Sequence, residues 1–192
     1  MEQWTLPKVF YEQLNRLKDR TFLICKKDDK WQNVSWAEVG EKVRNLSMGL
    51  MKLGVKKGDR ISVISETRPD YAYTVTAIAN AGAIFAGIYQ TNSPKECAHV
   101  INDSGAKIIF AENRAQCEKI LKAAEICPHI EKIIVFDGFS PVEDQRIISL
   151  SALYALGKVE YEKYGDREYL ERLHDVKPED VTAIIYTSGT TG

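Results

Sequence analysis

Several functional classes are excluded by what this 192-residue sequence lacks. No run approaches the ~18 apolar residues that a membrane-spanning helix needs. The start, MEQWTLPKVFYEQL, has no basic stretch followed by an apolar one, so no secretory leader is read there. The four cysteines, Cys25, Cys97, Cys117 and Cys127, form no C-x-x-C pair, and His99, His129 and His174 are widely spaced. That leaves no metal signature. No lysine or arginine block is longer than two residues, and 26 basic side chains against 27 acidic ones give a formal charge of -1. The electrostatic footprint of a nucleic-acid binder is missing. A cytoplasmic protein is expected, with peripheral contact to a membrane surface left open. A nucleophilic Cys/His pair assembled in space also stays open, although an intracellular cysteine is more often a small buried apolar residue.

What is present suits one globular unit: 44% of the residues are hydrophobic and 28% charged, in a length that one domain fills. TFLICKKDDKWQNVSW reads as two β-prone stretches around a charged turn at Asp28 and Asp29, hence a hairpin. Ser35 and Glu38 then form an S-x-x-E capping box. Val39, Val43, Leu46, Leu50 and Leu53 follow at helical spacing, and Gly54 ends the helix. From Asp59 the rhythm changes to short apolar runs: Ile61 to Ser65, Ala83 to Tyr89, Lys107 to Ala111, Lys132 to Phe136 and Val181 to Tyr186. Five strands are predicted, each near-continuously apolar as in a parallel sheet buried on both faces. Helices are predicted between them: near Pro69, from Ser93 with Pro94 and Glu96 completing a second capping box, and after Asn113. Within 138–180 only a helix around Arg167 to Leu173 stands out. The pattern predicts a doubly wound α/β fold, its mostly parallel sheet flanked by helices. An N-terminal hairpin and helix (1–58) would precede the sheet unit (59–186), and a loop (186–192) would follow, all in a single unit.

That loop is YTSGTTG, Tyr186 to Gly192, placed directly after the last apolar run. In an open parallel sheet, ligands bind beyond the carboxyl ends of the strands. Gly189 and Gly192 let the backbone turn tightly, so that successive N–H groups converge, and Thr187, Ser188, Thr190 and Thr191 add four hydroxyls. Amides and hydroxyls together suit a polyanion such as phosphate; on composition alone the same cluster could be a plain turn. It is not a Walker A loop, which needs four residues between its glycines, because only Thr190 and Thr191 separate Gly189 from Gly192.

YTSGTTG resembles the phosphate-binding signature of the AMP-forming adenylate synthetases: acyl-CoA synthetases, adenylation domains and luciferases. VGEKVRNLSMGLMKLGVKKGDRISVISETRPDY, followed by AGAIFAGIYQTNSPKECAHVINDSGAKIIFAE, is similar to the N-terminal part of the long-chain fatty acid–CoA ligase branch. The resemblance extends over most of residues 20 to 192. Thr67 stands where the branch usually has Asn, Gly87 where it often has Pro, and Gln90 where Pro is common.

The resemblance implies an enzyme that uses ATP and Mg2+ to convert a fatty acid to an acyl-adenylate with loss of pyrophosphate, then passes the acyl group to coenzyme A. It assigns nucleotide phosphate binding to Thr187, Ser188, Gly189, Thr190, Thr191 and Gly192, and no catalytic or metal-binding residue to this chain. It also implies that the sequence carries roughly the first third of a larger adenylate-forming domain. The isolated chain is therefore expected to be inactive, with an apolar face exposed and self-association through it as the consequence. A non-catalytic short paralogue and half of a split ligase remain as alternatives. Three smaller groups are candidates for function or for plain structure. His99 with Asp103 could pair or lie on a solvated helix face; Tyr161, Tyr164 and Tyr169, among Lys163 and Arg167, could meet a membrane or acyl donor or pack on a surface helix. Glu66, Arg68 and Asp70 lie at a strand's carboxyl end and are read as supporting the next helix.

Overall fold

The computed structural model describes residues 4–136 and 144–187. Helix α1 (Leu6–Leu17) comes first, then a hairpin of β1 (Thr21–Lys27) and β2 (Lys30–Ser35), then α2 (Trp36–Lys52). Next come β3 (Arg60–Ile64), α3 (Pro69–Asn80), β4 (Ile84–Ile88), α4 (Pro94–Ser104), β5 (Ile108–Ala111), α5 (Arg114–Ala124) and β6 (Lys132–Val135). The described part closes with β7 (Ile147–Ser149), α6 (Leu150–Tyr164), α7 (Arg167–Asp175) and β8 (Ala183–Ile184).

Local chemistry sets several of these boundaries. The hydroxyls of Ser35 and Ser93 accept from the N–H groups of Glu38 and Glu96, whose carboxylates accept in return, so both capping boxes are formed. Asn113 caps α5 by accepting from the Gln116 N–H at 3.1 Å. The hairpin turns at Asp28 and Asp29, both with positive φ, which short polar side chains tolerate better than others.

The larger sheet has the order β7-β6-β5-β3-β4-β8, and every pairing in it is parallel. Side chains alternate across it. Ile61, Val63, Phe85, Ile108, Phe110 and Ile134 pack with residues of α2, α3 and α6, such as Leu46, Leu50, Ile78 and Leu153. Ile64, Ile88, Ile109, Ile133 and Val135 face the opposite way, onto α4 and α5 through Cys97, Ile101, Cys117 and Ile120. The chain thus leaves β3 toward one face, and leaves its neighbours β4 and β5 toward the other. Such a reversal opens a crevice at the carboxyl ends of the strands.

The structure adds and corrects elements. The first described element is α1, whose Thr5 cap accepts from the Lys8 N–H and whose Phe10 sits against Phe22 and Trp36. This helix precedes the predicted hairpin, and Thr5 with Pro7 marks its start. The region 144–164 supplies β7 and α6. Ser149 caps α6 by accepting from the Ala152 N–H at 3.0 Å. The expectation that all five runs are buried on both faces fails for the last one. Val181 and Ile185 are 59% and 63% exposed, because among the described residues β8 is a sheet edge paired only with β4 and no helix lies over those side chains.

The cysteines read as packing residues. Cys97, Cys117 and Cys127 are buried, and burial raises all three thiols, the first two to about 11. A nucleophilic cysteine requires the opposite shift.

Candidate functional site at the carboxyl ends of the strands

A candidate site opens where β3, β4 and β8 end. A cleft of about 280 Å3 opens there, with walls from Ser65, Glu66 and Thr67 after β3, Tyr89 and Gln90 after β4, and Ile185 and Tyr186 after β8. Its inner wall is apolar, formed by Val63, Phe85 and Ile88 with the ring of Tyr71. Gly87 adds no side chain to that wall. The three positions that depart from the long-chain pattern, Thr67, Gly87 and Gln90, all line this cleft. A larger hollow of about 580 Å3, between the carboxyl-terminal halves of α2 and α6 and the start of α7, is at the other end of the molecule. Helices α2 and α6 run back toward the amino ends of β3 and β8, so that hollow is remote from the strand exits.

The loop that leaves β3 is braced from β5. The N–H of Glu66 donates to the Glu112 carboxylate at 3.1 Å, and Arg68 sits 3.0 Å from Asp70 and 3.6 Å from Glu112. Asp70 occupies the first turn of α3, where a negative charge complements the helix dipole. Arg68 and Asp70 thus have the supporting role expected of them, while Glu66 also reaches the cleft. The loop after β4 is held likewise. The Gln90 carbonyl accepts from the Lys119 ammonium at 2.5 Å and from Gln116 at 3.4 Å, both on α5.

Tyr186 brings the strand β8 onto α4. Its phenol donates to the Asp103 carboxylate at 2.7 Å, and its ring meets that of His99 edge-on, with centroids 6.4 Å apart. His99 and Asp103 are therefore joined through a third residue, an arrangement that sequence spacing could not display. Burial pushes the Tyr186 phenol up to about 12, and the Asp103 carboxylate adds to the shift. Burial does the same for Tyr73 and Tyr169, each also to about 12. An unfolded tyrosine ionises near pH 10. Between about pH 10 and 12 the unfolded chain consequently binds fewer protons than the folded one, so stability falls as pH rises through that window. In an absorbance titration of the phenolate band, at least three of the nine tyrosines should ionise only near pH 12 or on alkaline unfolding. Tyr186→Phe should remove one from that late group.

Of the expected phosphate-binding residues, Thr187 lies three positions beyond the end of β8. Ser188, Gly189, Thr190, Thr191 and Gly192 lie outside the described residues. The tyrosines of the 161–169 region are elsewhere. Tyr169 is buried and accepts from Asn80 Nδ2 at 2.8 Å, Tyr161 lies under the Arg44 guanidinium at 3.5 Å, and Tyr164 borders the remote hollow. Tyr161 and Tyr169 pack α6 and α7 against Met48 of α2, whereas Tyr164 is exposed.

Comparison with known proteins decides the family. The sequence profile of the AMP-binding enzymes matches residues 10–192. The chain belongs to the AMP-binding enzyme family. It is 29% identical over 190 residues to the human long-chain-fatty-acid–CoA ligase ACSBG1, an alignment covering 98% of this chain and 26% of that protein. It is 30% identical over 165 residues to the long-chain-fatty-acid–CoA ligase FadD15 of Mycobacterium tuberculosis, covering 86% and 26%. The chain thus spans about a quarter of the length of these curated relatives. The solved structure of the anthranilate CoA ligase AuaEII in complex with anthranoyl-AMP superposes with a TM-score of 0.73 at 18% identity, over 99% of this chain and 33% of that one. At that identity the likeness establishes a shared fold. Among the described residues, no helix is long and apolar enough to cross a membrane.

Proposed function

We propose that this chain is the amino-terminal portion of an ATP-dependent fatty acid–CoA ligase, and that Thr187 to Gly192 contact the nucleotide's phosphates. The similarity to long-chain-fatty-acid–CoA ligases along 98% of the chain carries this reading. A fatty acid carboxylate attacks the α-phosphorus of ATP, giving acyl-AMP and releasing pyrophosphate. The thiol of coenzyme A then attacks the acyl carbon, giving the thioester and AMP. The carboxylate is ionised near neutral pH, so the first step needs no general base. What it needs is stabilisation of the charge on the departing pyrophosphate, which amide and hydroxyl donors supply as fixed dipoles.

Mg2+ accompanies ATP in this reading. It is commonly held through substrate phosphates with one or two carboxylates, and its charge would oppose that of the phosphates. The likeness to the adenylate synthetases assigns the ion's protein ligands to the remainder of the enzyme and none to this chain. The reading places the enzyme in the cytoplasm, where ATP and coenzyme A are available, with the membrane surface as a source of fatty acid. The 192 residues by themselves are proposed to be inactive, and to self-associate through the exposed side chains of Val181 and Ile185.

The test is fatty acid-dependent exchange of labelled pyrophosphate into ATP, with acyl-CoA formation, by the full-length protein against a panel of acids of graded chain length. Exchange that peaks with long-chain acids supports the reading; exchange only with aryl acids would move the substrate class, and none with any acid would remove the ligase assignment. The 192-residue chain should give no exchange, and measurable exchange from it would refute the requirement for the remainder.

A further inference from the structure

The stretch read as a phosphate loop begins one residue after Tyr186, at the end of a strand with little hold on the sheet. Strand β8 contributes two residues, Ala183 and Ile184, paired with Phe85 and Ala86 of β4, and its other edge carries no partner among the described residues. One further main-chain bond, from the Phe85 N–H to the Thr182 carbonyl at 3.0 Å, adds to that attachment. Donors that stabilise a developing charge must be held in place before the reaction, since a donor that has to be ordered first spends its interaction on that ordering. An edge strand of two residues is a poor foundation for such a loop.

The second attachment comes from helix α4, 83 positions back in the chain, where Asp103 accepts the Tyr186 phenol at 2.7 Å and His99, one turn earlier, lies edge-on to its ring. Helix α4 is itself fixed at both ends. Its start carries the Ser93–Glu96 capping box, and at its end the Ser104 carbonyl accepts from the Arg60 guanidinium of β3 at 2.7 Å. We infer that Tyr186, held by Asp103 and His99, is a positioning residue that fixes the root of the phosphate loop against α4 and so sets the affinity for ATP. This inference rests on the reading of Thr187 to Gly192 as phosphate contacts.

The geometry specifies how the parts should fail. Tyr186→Phe keeps the ring on His99 and removes only the donor. A hydrogen bond to a charged group is strong enough for its loss to weaken ATP binding roughly tenfold, if the bond serves the loop. Asp103→Ala removes the acceptor and should have the same effect, and the double variant should be no worse than either single one, because both break one contact. Asp103→Asn keeps an acceptor oxygen and should recover most of the loss.

The experiment measures, in the full-length ligase proposed above, KM for ATP, KM for fatty acid, kcat and melting temperature for these four variants and for Thr190→Ala. Support for the anchor is a rise in KM for ATP of roughly tenfold in Tyr186→Phe and Asp103→Ala, non-additive in the pair and largely recovered in Asp103→Asn, with KM for fatty acid unchanged. A lower melting temperature with an unchanged KM for ATP would make the contact purely structural and overturn the inference. If Thr190→Ala impairs ATP use while Tyr186→Phe leaves it intact, the anchor falls and the loop reading stands. If Thr190→Ala and Tyr186→Phe both leave ATP use intact, the loop reading falls and takes the anchor with it.

Discussion

Gly157→Ala is expected to destabilise the protein by at least ~3 kcal/mol, at the upper end of what overpacking a core costs. Gly157 lies inside α6 where that helix crosses α2, and a Cβ on it would overlap the carbonyl oxygen of Asn45. Gly49 on α2 makes the reciprocal approach, with a Cβ there falling 2.5 Å from the Leu153 carbonyl oxygen. Main-chain atoms in a helix cannot turn aside as a side chain can, so the two helices would have to separate. Separation would also loosen Leu46, Leu50 and Leu153 where they pack against the sheet. Gly40→Ala is the control. It too lies within α2, but its added Cβ would meet the terminal methyl carbons of Leu14, which can rotate away. Alanine is also the better helix former by up to ~1 kcal/mol, a gain that offsets the adjustment at Gly40 and is overwhelmed at Gly157. Thermal denaturation should show Gly40→Ala within a few degrees of the wild type. Gly157→Ala should melt lower by about 6–12 °C, at the roughly 2–4 °C per kcal/mol usual for this size. Equal melting temperatures for the two variants would contradict the close helix crossing.

The same helix pair shows why parts of the fold were legible in the sequence and others not. Capping boxes at Ser35–Glu38 and Ser93–Glu96 are complete within four residues, so their signal is local and both formed as read. The runs forming β3 to β6 were legible because strands covered on both faces need apolar side chains at nearly every position. Helix α6 packs through Leu150, Leu153 and Gly157, while its Ala152, Ala155 and Val159 are exposed, so its apolar residues mark no single face. The exposure of β8 was also beyond reach. VTAIIY has the composition of a central strand, and only the sheet order shows that it lies at an edge. For the site, the glycines and hydroxyls of YTSGTTG identify a loop suited to an anion, whereas its assignment to nucleotide phosphates rests on likeness to the adenylate synthetases. The bond from Tyr186 to Asp103 joins two stretches that the resemblance singles out separately, and nothing in either one names the other.

Thr190→Ala in the full-length protein is expected to lower fatty acid-dependent pyrophosphate exchange by about 10²-fold or more, with the protein's melting temperature unchanged. The expectation follows from where charge develops. In the proposed ligase reaction, negative charge accumulates on the leaving pyrophosphate as the α-phosphorus is attacked, and a donor aimed at it contributes more in the transition state than in bound ATP. Removing one such donor from a preorganised site costs roughly 10²–10³ in rate, or about 2.7–4 kcal/mol. Thr190 lies between Gly189 and Thr191, within the stretch that carries the amide and hydroxyl donors, and an alanine there removes the hydroxyl while leaving the backbone N–H. Thr190→Ser, which restores the hydroxyl, should recover most of the rate. A kcat that falls while KM for ATP stays nearly constant would place the hydroxyl's action in the transition state. A rise in KM alone would mean that it only helps to hold ATP, and unchanged kinetics in Thr190→Ala would remove this hydroxyl from the phosphate contacts altogether.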